Sequence, residues 1–592
     1  MNVVKKKEPA IGTGDFLKLL ESEIFVDKSL WLKDLLQDGA EALLITRPRR
    51  WGKTLNMSML YHFLRCEVKQ NPATGALQTV HPHIGLFDSL KIGQQHPELV
   101  ANNQGKWPVI FLTLKGISGS SIDEIEEGFK DVLAELYDQH IYLRDWLLSQ
   151  NKEATLTKAE YFSRVTKRQE KLVGLKRSLR FLSELLHEYH GRKVFVLIDE
   201  YDSPLNNTFL EPELYKQVLT FLRGFLGNGF KDNPYLEKGL MTGILRVAKA
   251  DLFSGLNNFK EYSLLHKRYA EHFGFTDREV NDLFNQPVVK ELISRNTPNP
   301  EQIKAWYNGY SIGGMTIYNP WSIMMCISEE GMLAPYWVAT GSDILLRDLL
   351  KDHDNLLQEV EQLLAGGSLE VTISPHINML DMPPEIKFWS LMLSAGYVTL
   401  TKEVPPAASI KLSCEVRIPN TEVKATHEDL IIGWFEDKVG MRHYADMINS
   451  LFYGEIEAFA AELNRYLQEA TSVRNVGPYR AEQFYQGFML GLLIVMRKEF
   501  SINTEAESGQ GYADTLMIPK NKKAPAAVVF EYKIGKRQEN LATKVAEALE
   551  QINDKSYTTR VQPYAHIKQI VKVGVAFHSK EALVKREIVN IQ

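Results

Sequence analysis

Residues 41–64 decide the fold of this chain, and they read EALLITRPRRWGKTLNMSMLYHFL. The short apolar run over residues 41–46 is typical of a buried strand, and the periodic apolar pattern over residues 55–64 is typical of an amphipathic helix. A strand that passes through a short loop into a helix is the repeating unit of α/β domains. This part of the chain is therefore expected to contain a mainly parallel sheet.

The loop between that strand and that helix carries a phosphate-binding pattern. Gly52, Lys53 and Thr54 match the last three positions of G-x-x-x-x-G-K-[ST], in which backbone N–H groups, a lysine and a hydroxyl hold phosphates and Mg²⁺. Arg47 stands where the first glycine of the pattern would be. Because Gly-Lys-Thr alone is common by chance, the alternative is an ordinary helix start, and the rest of the chain has to decide.

An acidic pair downstream supports the phosphate-binding interpretation. Residues 193–198 form a nearly continuous apolar run that ends in Asp199 and Glu200, with Asp202 following. Ligands of α/β sheets bind outside the carboxyl ends of parallel strands, so Asp199 is expected to hold Mg²⁺ directly or through water. Glu200 is then the candidate base. The alternative, a solvated strand end, is disfavoured because the lysine loop and the acidic pair occur in one chain.

Two further strands complete the predicted sheet. Residues 107–114 and residues 240–245 are both short apolar runs, and Arg246 follows the second of them. Thr242 or Arg246 is placed where a side chain could sense the γ-phosphate of a bound nucleotide. The alternative for an arginine at a strand end is a surface ion pair.

The composition fits a globular protein of several domains. The chain has 592 residues, of which 44% are hydrophobic and 24% charged, which excludes a largely disordered chain, a collagen-like chain and a coiled-coil rod. Cys66, Cys326 and Cys414 are too far apart for a zinc motif or a disulfide framework. No apolar stretch reaches the ~18 residues of a membrane helix, so we expect a cytoplasmic protein without a membrane partner.

The pattern along the chain predicts three regions. Residues 1–290 show the strand and helix alternation, residues 291–428 show short helices, tight turns and proline breaks, and residues 429–592 form a second α/β unit. In that last region, helices are expected at 444–469, 481–499 and 541–555. Strands are expected over residues 511–518, 526–532 and 570–577.

The C-terminal region carries a candidate metal centre. Glu531 and Lys533 lie two residues apart on a predicted strand, so their side chains share one face, and a hairpin would bring Asp514 to them. Two carboxylates can bind Mg²⁺, which polarises a phosphodiester, and a nearby lysine can stabilise developing charge. The alternative is an exposed ion pair, but the apolar run before Glu531 predicts a buried strand, where a bare charge is costly.

Several short stretches together resemble a known family. In the first two regions they are FVDKS at 25–29, RPRRWGKT at 47–54, IDEYD at 198–202, LNN at 256–258, WYNGY at 306–310, YNPWS at 318–322 and GY at 396–397. In the third region they are ESGQGYAD at 507–514, EYK at 531–533, ALEQI at 548–552 and Tyr557. The chain resembles the AAA-ATPase-like family, whose proteins pair an N-terminal P-loop domain with a C-terminal PD-(D/E)xK nuclease-superfamily domain.

This resemblance implies a fold and a set of site residues. The implied fold is a P-loop NTPase domain with a parallel sheet, a middle helical region and a restriction-endonuclease-like α/β domain. The implied nucleotide contacts are Arg49, Arg50, Gly52, Lys53, Thr54 and Asp199. The implied catalytic residues are Glu200, Asp514, Glu531 and Lys533, and the implied metal ligands are Thr54, Asp199, Asp514 and Glu531.

Other residues keep two interpretations each. Arg49 and Arg50 are expected to neutralise phosphate charge, or else to contact DNA or the acids of the loop. Gln551 and Glu482 lie where the nuclease superfamily places a substrate-orienting residue and an accessory acid, or they are solvated helix residues. Five basic residues are expected either to track a nucleic-acid backbone or to be plain turn residues: Lys520, Lys522, Lys523, Lys536 and Arg537.

The leading hypothesis is an ATP-binding, ATP-hydrolysing protein coupled to a Mg²⁺-dependent nuclease, with Mn²⁺ as an alternative metal. DNA is favoured over RNA as the partner, although the net charge of −5 requires a local basic patch for that contact. The rival hypothesis is a nucleotide-dependent switch whose nuclease-like domain binds a partner without cleavage. Assembly into a homo-oligomer stays open, because no residue identifies itself as an arginine supplied to a neighbouring copy.

Overall fold

The computed structural model describes most of the chain. The described residues are 6–71, 74, 76–231, 233–245, 258–337, 359–360, 362–364, 366–376, 382–402, 411–428, 447, 450–451, 455–470, 485, 488–489, 492–493, 496, 499–504, 515–522, 525–535, 540–554, 561 and 564–590. The chain divides into two compact units. The first unit comprises Met1–Val338, Val371–Cys414 and Pro419–Glu422, and the second comprises Ala339–Glu370, Glu415–Ile418 and Val423–Gln592.

The first unit is built around a parallel sheet. Its strands, with a small β2–β3 hairpin, are β1 Ala42–Thr46, β2 Glu67–Gln70, β3 Leu77–Val80, β4 Val109–Thr113, β5 Val194–Asp199, β6 Leu236–Gly243 and β7 Phe259–Tyr262. The strand order is β4-β5-β6-β1-β7, and all neighbours run parallel. The predicted P-loop sheet is therefore confirmed, and the carboxyl ends of β1, β5 and β6 meet at one edge.

Helices cover this sheet. They are α1 Phe16–Leu20, α2 Trp31–Leu36, α3 Lys53–Leu64, α4 Lys91–Gln95, α5 Pro97–Asn103, α6 Ile122–Asp138, α7 Tyr142–Ser149, α8 Glu153–Thr166, α9 Leu172–Leu175, α10 Ser178–His190, α11 Ser203–Asn207 and α12 Pro212–Phe230. Helix α3 carries Met57, Leu60 and Phe63 into the main core, where each is fully buried. The helix that begins with the candidate lysine is thus anchored on the sheet by apolar burial.

Strand β6 differs from the prediction. The apolar pattern predicted a strand over residues 240–245, but β6 begins at Leu236 and ends at Gly243. Lys238 hides the start of the strand in the sequence because a buried lysine breaks an apolar run. Its ammonium donates to the backbone oxygens of Leu35 and Asp38, so the charge is satisfied inside the fold.

The middle of the chain is helical, as predicted, and also contains two small sheets. Its helices are α13 Asp277–Phe284, α14 Pro287–Leu292, α15 Pro300–Tyr307, α16 Pro320–Ser328 and α17 Pro384–Ala395. Its strands are β8 Tyr310–Ile312, β9 Met315–Ile317, β10 Leu369–Ile373, β11 Thr399–Leu400 and β12 Leu412–Arg417. Strands β8 and β9 form a hairpin, and the other three form a sheet of order β10-β12-β11. The boundaries at 290 and 428 stay predictions.

The second unit contains a mixed sheet. Its strands and helices are β13 Phe500–Thr504, β14 Thr515–Pro519, β15 Ala526–Ile534, β16 Gln569–His578, β17 Glu581–Asn590, α18 Ile456–Ala470 and α19 Leu541–Asp554. The sheet order is β13-β14-β15-β16-β17, in which only the β15–β16 pair is parallel among these strands. Helix α19 connects these two parallel strands, as a crossover must.

Helix α19 lies close against the sheet. Val545, Leu549 and Ile552 of this helix are buried in the core of the second unit. Gly574 of β16 allows the approach, because a Cβ at that position would lie 2.9 Å from the backbone oxygen of Val545.

Among the described helices, none combines the length and the apolar composition that a membrane-spanning helix requires.

Candidate functional site

The candidate nucleotide site lies where β1, β5 and β6 end. Thr46 of β1 is in register with Gly243 of β6, and Ile198 of β5 is in register with Met241 of β6. The N–H of Arg47 donates to the backbone oxygen of Gly243 at 3.1 Å, which extends the ladder into the loop. The loop before α3 and the acidic end of β5 therefore lie at the same edge of the sheet, with β6 between them.

Asp199 connects the three elements of this edge. Its side chain is buried, and its Oδ2 accepts a hydrogen bond of 2.6 Å from the Thr54 hydroxyl at the start of α3. Its Oδ1 accepts from the Thr242 hydroxyl on β6. Two predicted metal ligands, Thr54 and Asp199, are thus brought into contact, and Thr242 joins them.

Lys53 is buried and bonded to neutral atoms. It is 6% exposed, and its ammonium donates to the backbone oxygens of Arg47 at 3.1 Å and Pro48 at 2.8 Å. Burial lowers the pKa of Lys53, and the nearby carboxylates, of which Asp199 is the strongest, oppose that shift. A desolvated ammonium whose direct partners are uncharged favours the approach of an anion.

Gly52 and Arg47 shape the loop in different ways. Gly52 has φ of 74°, in the left-handed region that side chains disfavour, which explains the glycine directly before the lysine. Arg47 occupies the position of the missing glycine and is completely buried. Its Nη1 donates to the backbone oxygens of Thr46 at 2.8 Å and Tyr262 at 3.1 Å, and burial lowers its pKa to about 9. Arg47 therefore ties the end of β1 to β7.

Glu200, the candidate base, follows Asp199 in a strained conformation. Its φ is 51°, which is unusual for a residue with a side chain. Burial, and then the charge of Asp199, raise the pKa of Glu200. A carboxylate with a raised pKa is a better proton acceptor near neutral pH. The structure thus places Glu200 beside the metal-binding candidates, in an environment that suits a general base.

Asp202 has a positional role that the sequence did not reveal. Its Oδ2 accepts from the backbone N–H groups of Ile244 at 3.0 Å and Leu245 at 2.7 Å. The carboxylate is buried, and this burial raises its pKa. Asp202 therefore fixes the backbone directly after β6. Arg246, the other sensor candidate, lies outside the described residues.

Arg49 contacts the middle region through its backbone, and Arg50 through its side chain. The backbone oxygen of Arg49 accepts from the Trp337 indole at 3.2 Å. The guanidinium of Arg50 lies 4.3 Å from the centroid of the Trp321 ring and donates to the backbone oxygen of Tyr336 at 2.9 Å. Contact of either arginine with phosphate stays a prediction.

Gly14 is a further residue of this site that the sequence analysis missed. A Cβ at residue 14 would lie 2.7 Å from Cγ2 of Thr54, so only glycine fits without a shift of the candidate metal ligand. The neighbouring N–H of Phe16 donates to Ser58 of α3 at 3.0 Å, which holds the two segments together. The cluster of small residues around Gly14 was the available signal.

The candidate centre of the second unit lies on β15. Glu531 is completely buried and Lys533 is 5% exposed, and the Lys533 ammonium lies 3.3 Å from Oε1 of Glu531. The same ammonium donates to the side-chain oxygen of Gln551 on α19. The structure thus brings Gln551 to the predicted pair, and it shows a buried pair instead of an exposed one.

Strand β14 lies beside β15, which carries this centre. Strands β14 and β15 are antiparallel, with Thr515 in register with Phe530. Asp514, the second predicted carboxylate, directly precedes Thr515 in the sequence and lies outside the described residues. Among the other candidates, Lys520 and Lys522 are exposed in the β14–β15 turn. The remaining candidates also lie outside the described residues: Glu482, Lys523, Lys536, Arg537 and Tyr557.

Comparison with known families finds a match for each of the two domains that carry these residues. A family model described as "Predicted AAA-ATPase" matches residues 10–253, and a model of the PD-(D/E)XK nuclease superfamily matches residues 480–587. The chain therefore contains an AAA-ATPase-like domain and, C-terminal to it, a PD-(D/E)XK nuclease-superfamily domain. It is also 25% identical to an "Uncharacterized protein in vnfD 5'region" of Azotobacter chroococcum mcd 1, over 97% of each chain.

The donor atoms of both domains fit divalent metal. In the AAA-ATPase-like domain, Thr54 and Asp199 offer oxygen only, which suits Mg²⁺. In the nuclease-superfamily domain, Glu531 offers a carboxylate next to an ammonium. No group of three His, Cys, Asp or Glu side chains within the described ranges could hold a metal alone. Because Mg²⁺ is usually held by one or two carboxylates together with substrate phosphates, both sites fit it.

Proposed function

We propose that the AAA-ATPase-like domain binds ATP with Mg²⁺ and hydrolyses it. The observation that carries this proposal is the placement of Thr54 and Thr242 on the two oxygens of Asp199, beside the buried ammonium of Lys53. The family match supports an ATPase-like activity in general.

Each residue has a defined task in this reaction. Lys53 would exchange its two carbonyl partners for the β- and γ-phosphates, where its charge offsets the negative charge of the transition state. Thr54 and Asp199 would hold Mg²⁺, which neutralises phosphate charge when it is bound. Glu200 would orient a water molecule for attack on the γ-phosphate and accept its proton.

We propose that the nuclease-superfamily domain cleaves phosphodiesters of nucleic acid, with DNA as the favoured substrate. Glu531, together with Asp514, would bind Mg²⁺ or Mn²⁺, and the bound metal supplies charge neutralisation and a more acidic water. Lys533 would stabilise the negative charge that develops on the phosphate. Gln551 orients the Lys533 ammonium through its hydrogen bond. The exposed Lys520 and Lys522 would contact the nucleic-acid backbone electrostatically.

A cleavage assay on the full chain tests the nuclease half. Supercoiled plasmid, linear duplex DNA, single-stranded DNA and RNA are incubated with protein in Mg²⁺, Mn²⁺ or EDTA, each with and without ATP. We expect cutting of DNA that requires metal and falls at least about 100-fold in Glu531→Gln, because a metal-binding carboxylate is lost. Lys544→Met is the matched control, since Lys544 is a partly exposed lysine on α19 that pairs with Glu547.

ATP hydrolysis by the same preparations tests the other half. We expect phosphate release that requires Mg²⁺ and falls at least about 100-fold in Lys53→Met, whereas Lys216→Met, at an exposed lysine of α12 that pairs with Glu213, keeps the wild-type rate. Hydrolysis without cutting of any substrate would reject the nuclease and favour a nucleotide-dependent switch that binds a partner. Cutting without hydrolysis or ATP binding would reject the ATPase.

A further inference from the structure

The phosphate-binding loop is hydrogen-bonded to a single short segment of the middle region. Trp337 donates its indole N–H to the backbone oxygen of Arg49, and Arg50 donates to the backbone oxygen of Tyr336. Trp321 donates its own indole N–H to that same Tyr336 oxygen at 3.0 Å. Residues 336–337 therefore hold Arg49 and Arg50 of the loop through hydrogen bonds.

Glu422 holds this segment from the other side. Its Oε1 accepts from the backbone N–H groups of Tyr336 at 2.8 Å and Trp337 at 2.7 Å. Its Oε2 accepts from the Ser322 hydroxyl at 2.7 Å, and the side chain is completely buried. A buried carboxylate with three donors fixes its surroundings, because loss of the acceptor would leave these donors unsatisfied.

Two further contacts of the loop with the middle region are apolar. The ring of Pro48 lies against Gly396, where a Cβ would come within 3.2 Å of it. The Trp51 ring meets the Tyr310 ring edge-on, with centroids 4.9 Å apart. These contacts hold the loop on either side of Arg49 and Arg50. A change of loop conformation is therefore expected to be largest at the two arginines.

Binding of a phosphate would cause such a change of loop conformation. Lys53 donates to the backbone oxygens of Arg47 and Pro48, and a bound phosphate would compete for that ammonium. Pro48 directly precedes Arg49, whose oxygen is bonded to Trp337. Arg50 has φ of 65°, a conformation that costs about 1 kcal/mol or more and can relax when its contacts change.

The position of these residues along the chain indicates where the change would lead. The chain passes from the first unit to the second directly after Val338, and again directly after Glu422. Trp337 and Glu422 thus stand next to two of the connections into the unit that contains the nuclease-superfamily domain. Both residues also take part in the hydrogen bonds that hold the phosphate-binding loop.

We propose that Arg50, Trp337 and Glu422 form a loop clamp that transmits nucleotide binding at the phosphate-binding loop to the chain segments leading into the second unit. The loop clamp rests on the proposed ATP binding and adds its route of regulation. It requires that nucleotide changes the dynamics of residues 332–337 and 419–428, and that these changes depend on the hydrogen bonds of Trp337 and Glu422.

Hydrogen exchange measured by mass spectrometry on the full chain tests the loop clamp without relying on activity. Exchange is compared with and without Mg²⁺ and a non-hydrolysable ATP analogue, in wild type, Trp337→Phe and Glu422→Met, of which the last has no acceptor for the N–H groups of Tyr336 and Trp337. We expect nucleotide to alter exchange in residues 46–54, 332–337 and 419–428 of the wild type. In both variants the response at 46–54 should remain, and the response of the two distant segments should fall about 5-fold or more.

Trp306→Phe is the matched control, because Trp306 lies on α15 and packs in the apolar cluster of the middle region. It should respond as the wild type does. A wild-type response confined to residues 46–54, or variants that transmit as well as the wild type, would overturn the loop clamp while leaving ATP binding intact. Absence of any response at residues 46–54 would overturn the proposed ATP binding and the loop clamp with it.

Discussion

The two domains each bury a lysine, and they satisfy its charge in opposite ways. Lys53 of the first unit donates to two backbone carbonyl oxygens, which are neutral. Lys533 of the second unit lies 3.3 Å from the carboxylate of Glu531 and also donates to Gln551. Their exposed fractions are nearly equal, at 6% and 5%. Burial alone therefore does not distinguish them, whereas their partners do.

This difference matches what each proposed reaction needs. A lysine with neutral partners has positive charge to offer to an incoming polyphosphate, and the phosphate can replace carbonyl oxygens at small electrostatic cost. A lysine paired with a carboxylate is held beside the proposed metal ligand, in the position from which it would stabilise charge on the phosphate. The first site is thus built to bind an anion, and the second to hold a lysine and a carboxylate in fixed relative positions.

The largest expected effect comes from removing one charge of the second pair. Lys533→Met leaves Glu531 buried without its ammonium, which should destabilise the second unit by about 3 kcal/mol. Lys53→Met removes a desolvated charge together with its hydrogen bonds to neutral oxygens, so the first unit should change by less than about 1 kcal/mol. Hydrogen exchange of β15 and of α3 in increasing urea measures the two effects separately.

The double variant Glu531→Gln with Lys533→Met is the control for this experiment. It removes both charges, so it should recover most of the stability that Lys533→Met loses. Equal destabilisation by Lys53→Met and Lys533→Met would contradict the distinction between the two lysines. A double variant as unstable as the single one would show that packing, and not charge, explains the effect.

The next effect concerns the hydroxyls on Asp199. Thr54→Val should lower the rate of ATP hydrolysis about 100-fold, because it removes a proposed metal ligand. Thr242→Val removes only a donor to the other carboxylate oxygen and should cost about 10-fold. Steady-state phosphate release measures both, with Thr54→Ser as the control that keeps the hydroxyl. A loss in Thr242→Val as large as in Thr54→Val would assign Thr242 a direct contact with nucleotide.

Glu422 is a third buried ionisable group, and the pH dependence of its protonation extends the comparison of the two lysines. Burial raises the pKa of Glu422 to about 7, although its three hydrogen-bond donors act in the opposite direction. Because the folded state then binds a proton more tightly than the unfolded state, the contribution of Glu422 to stability should decrease as pH rises from about 4.5 to 7. Between pH 5 and 7.5, wild type should lose about 1 to 3 kcal/mol relative to Glu422→Gln.

Melting temperatures of wild type and Glu422→Gln across this pH range measure the difference. Raised pKa values keep the tyrosines and the cysteine near Glu422 neutral over the window, and Arg50 stays charged. The groups concerned are Arg50, Tyr307, Tyr310, Tyr336 and Cys326. Parallel pH profiles for the two proteins would show that Glu422 keeps one charge state throughout.

The smallest effect is expected at Gly14. Gly14→Ala places a methyl group 2.7 Å from Thr54 Cγ2, closer than two carbon atoms can approach, so Thr54 or the N-terminal segment has to shift. We expect ATP affinity to fall about 3-fold to 10-fold, measured by isothermal titration with the full chain, and cleavage without ATP to stay unchanged. Gly39→Ala is the control, since its Cβ would meet nothing within 4 Å. Unchanged ATP affinity in Gly14→Ala would show that the N-terminal segment can move away from the added methyl group at little energetic cost.

The sequence predicted those parts of the fold whose signals are local. An apolar run that ends in acidic residues identified β5 with Asp199, and the strand, loop and helix pattern identified β1 and α3. The pairing of Glu531 with Lys533 was also predicted, because alternate residues of a strand share a face. In each of these cases, the residues that determine the structure are neighbours in the sequence.

Contacts between distant residues were not predictable in this way. Glu422 has no apolar pattern around it that marks a site, and its donors lie between 85 and 100 residues away in the sequence. Asp202 likewise accepts from backbone groups 42 and 43 residues further on. Their roles follow from the order of strands and the course of loops, which one sequence without its structure does not reveal.

The buried side chain of Arg47 has a consequence for how such loops are recognised and altered. The side chain is completely buried, and it donates a hydrogen bond to the backbone oxygen of Tyr262 on β7. Completing the motif with Arg47→Gly would open a cavity and remove the side-chain hydrogen bond to Tyr262 of β7. A sequence that matches the motif more closely would therefore have a less stable structure around the loop. In this chain, a buried arginine that hydrogen-bonds to β1 and β7 stands in place of the first glycine of the pattern.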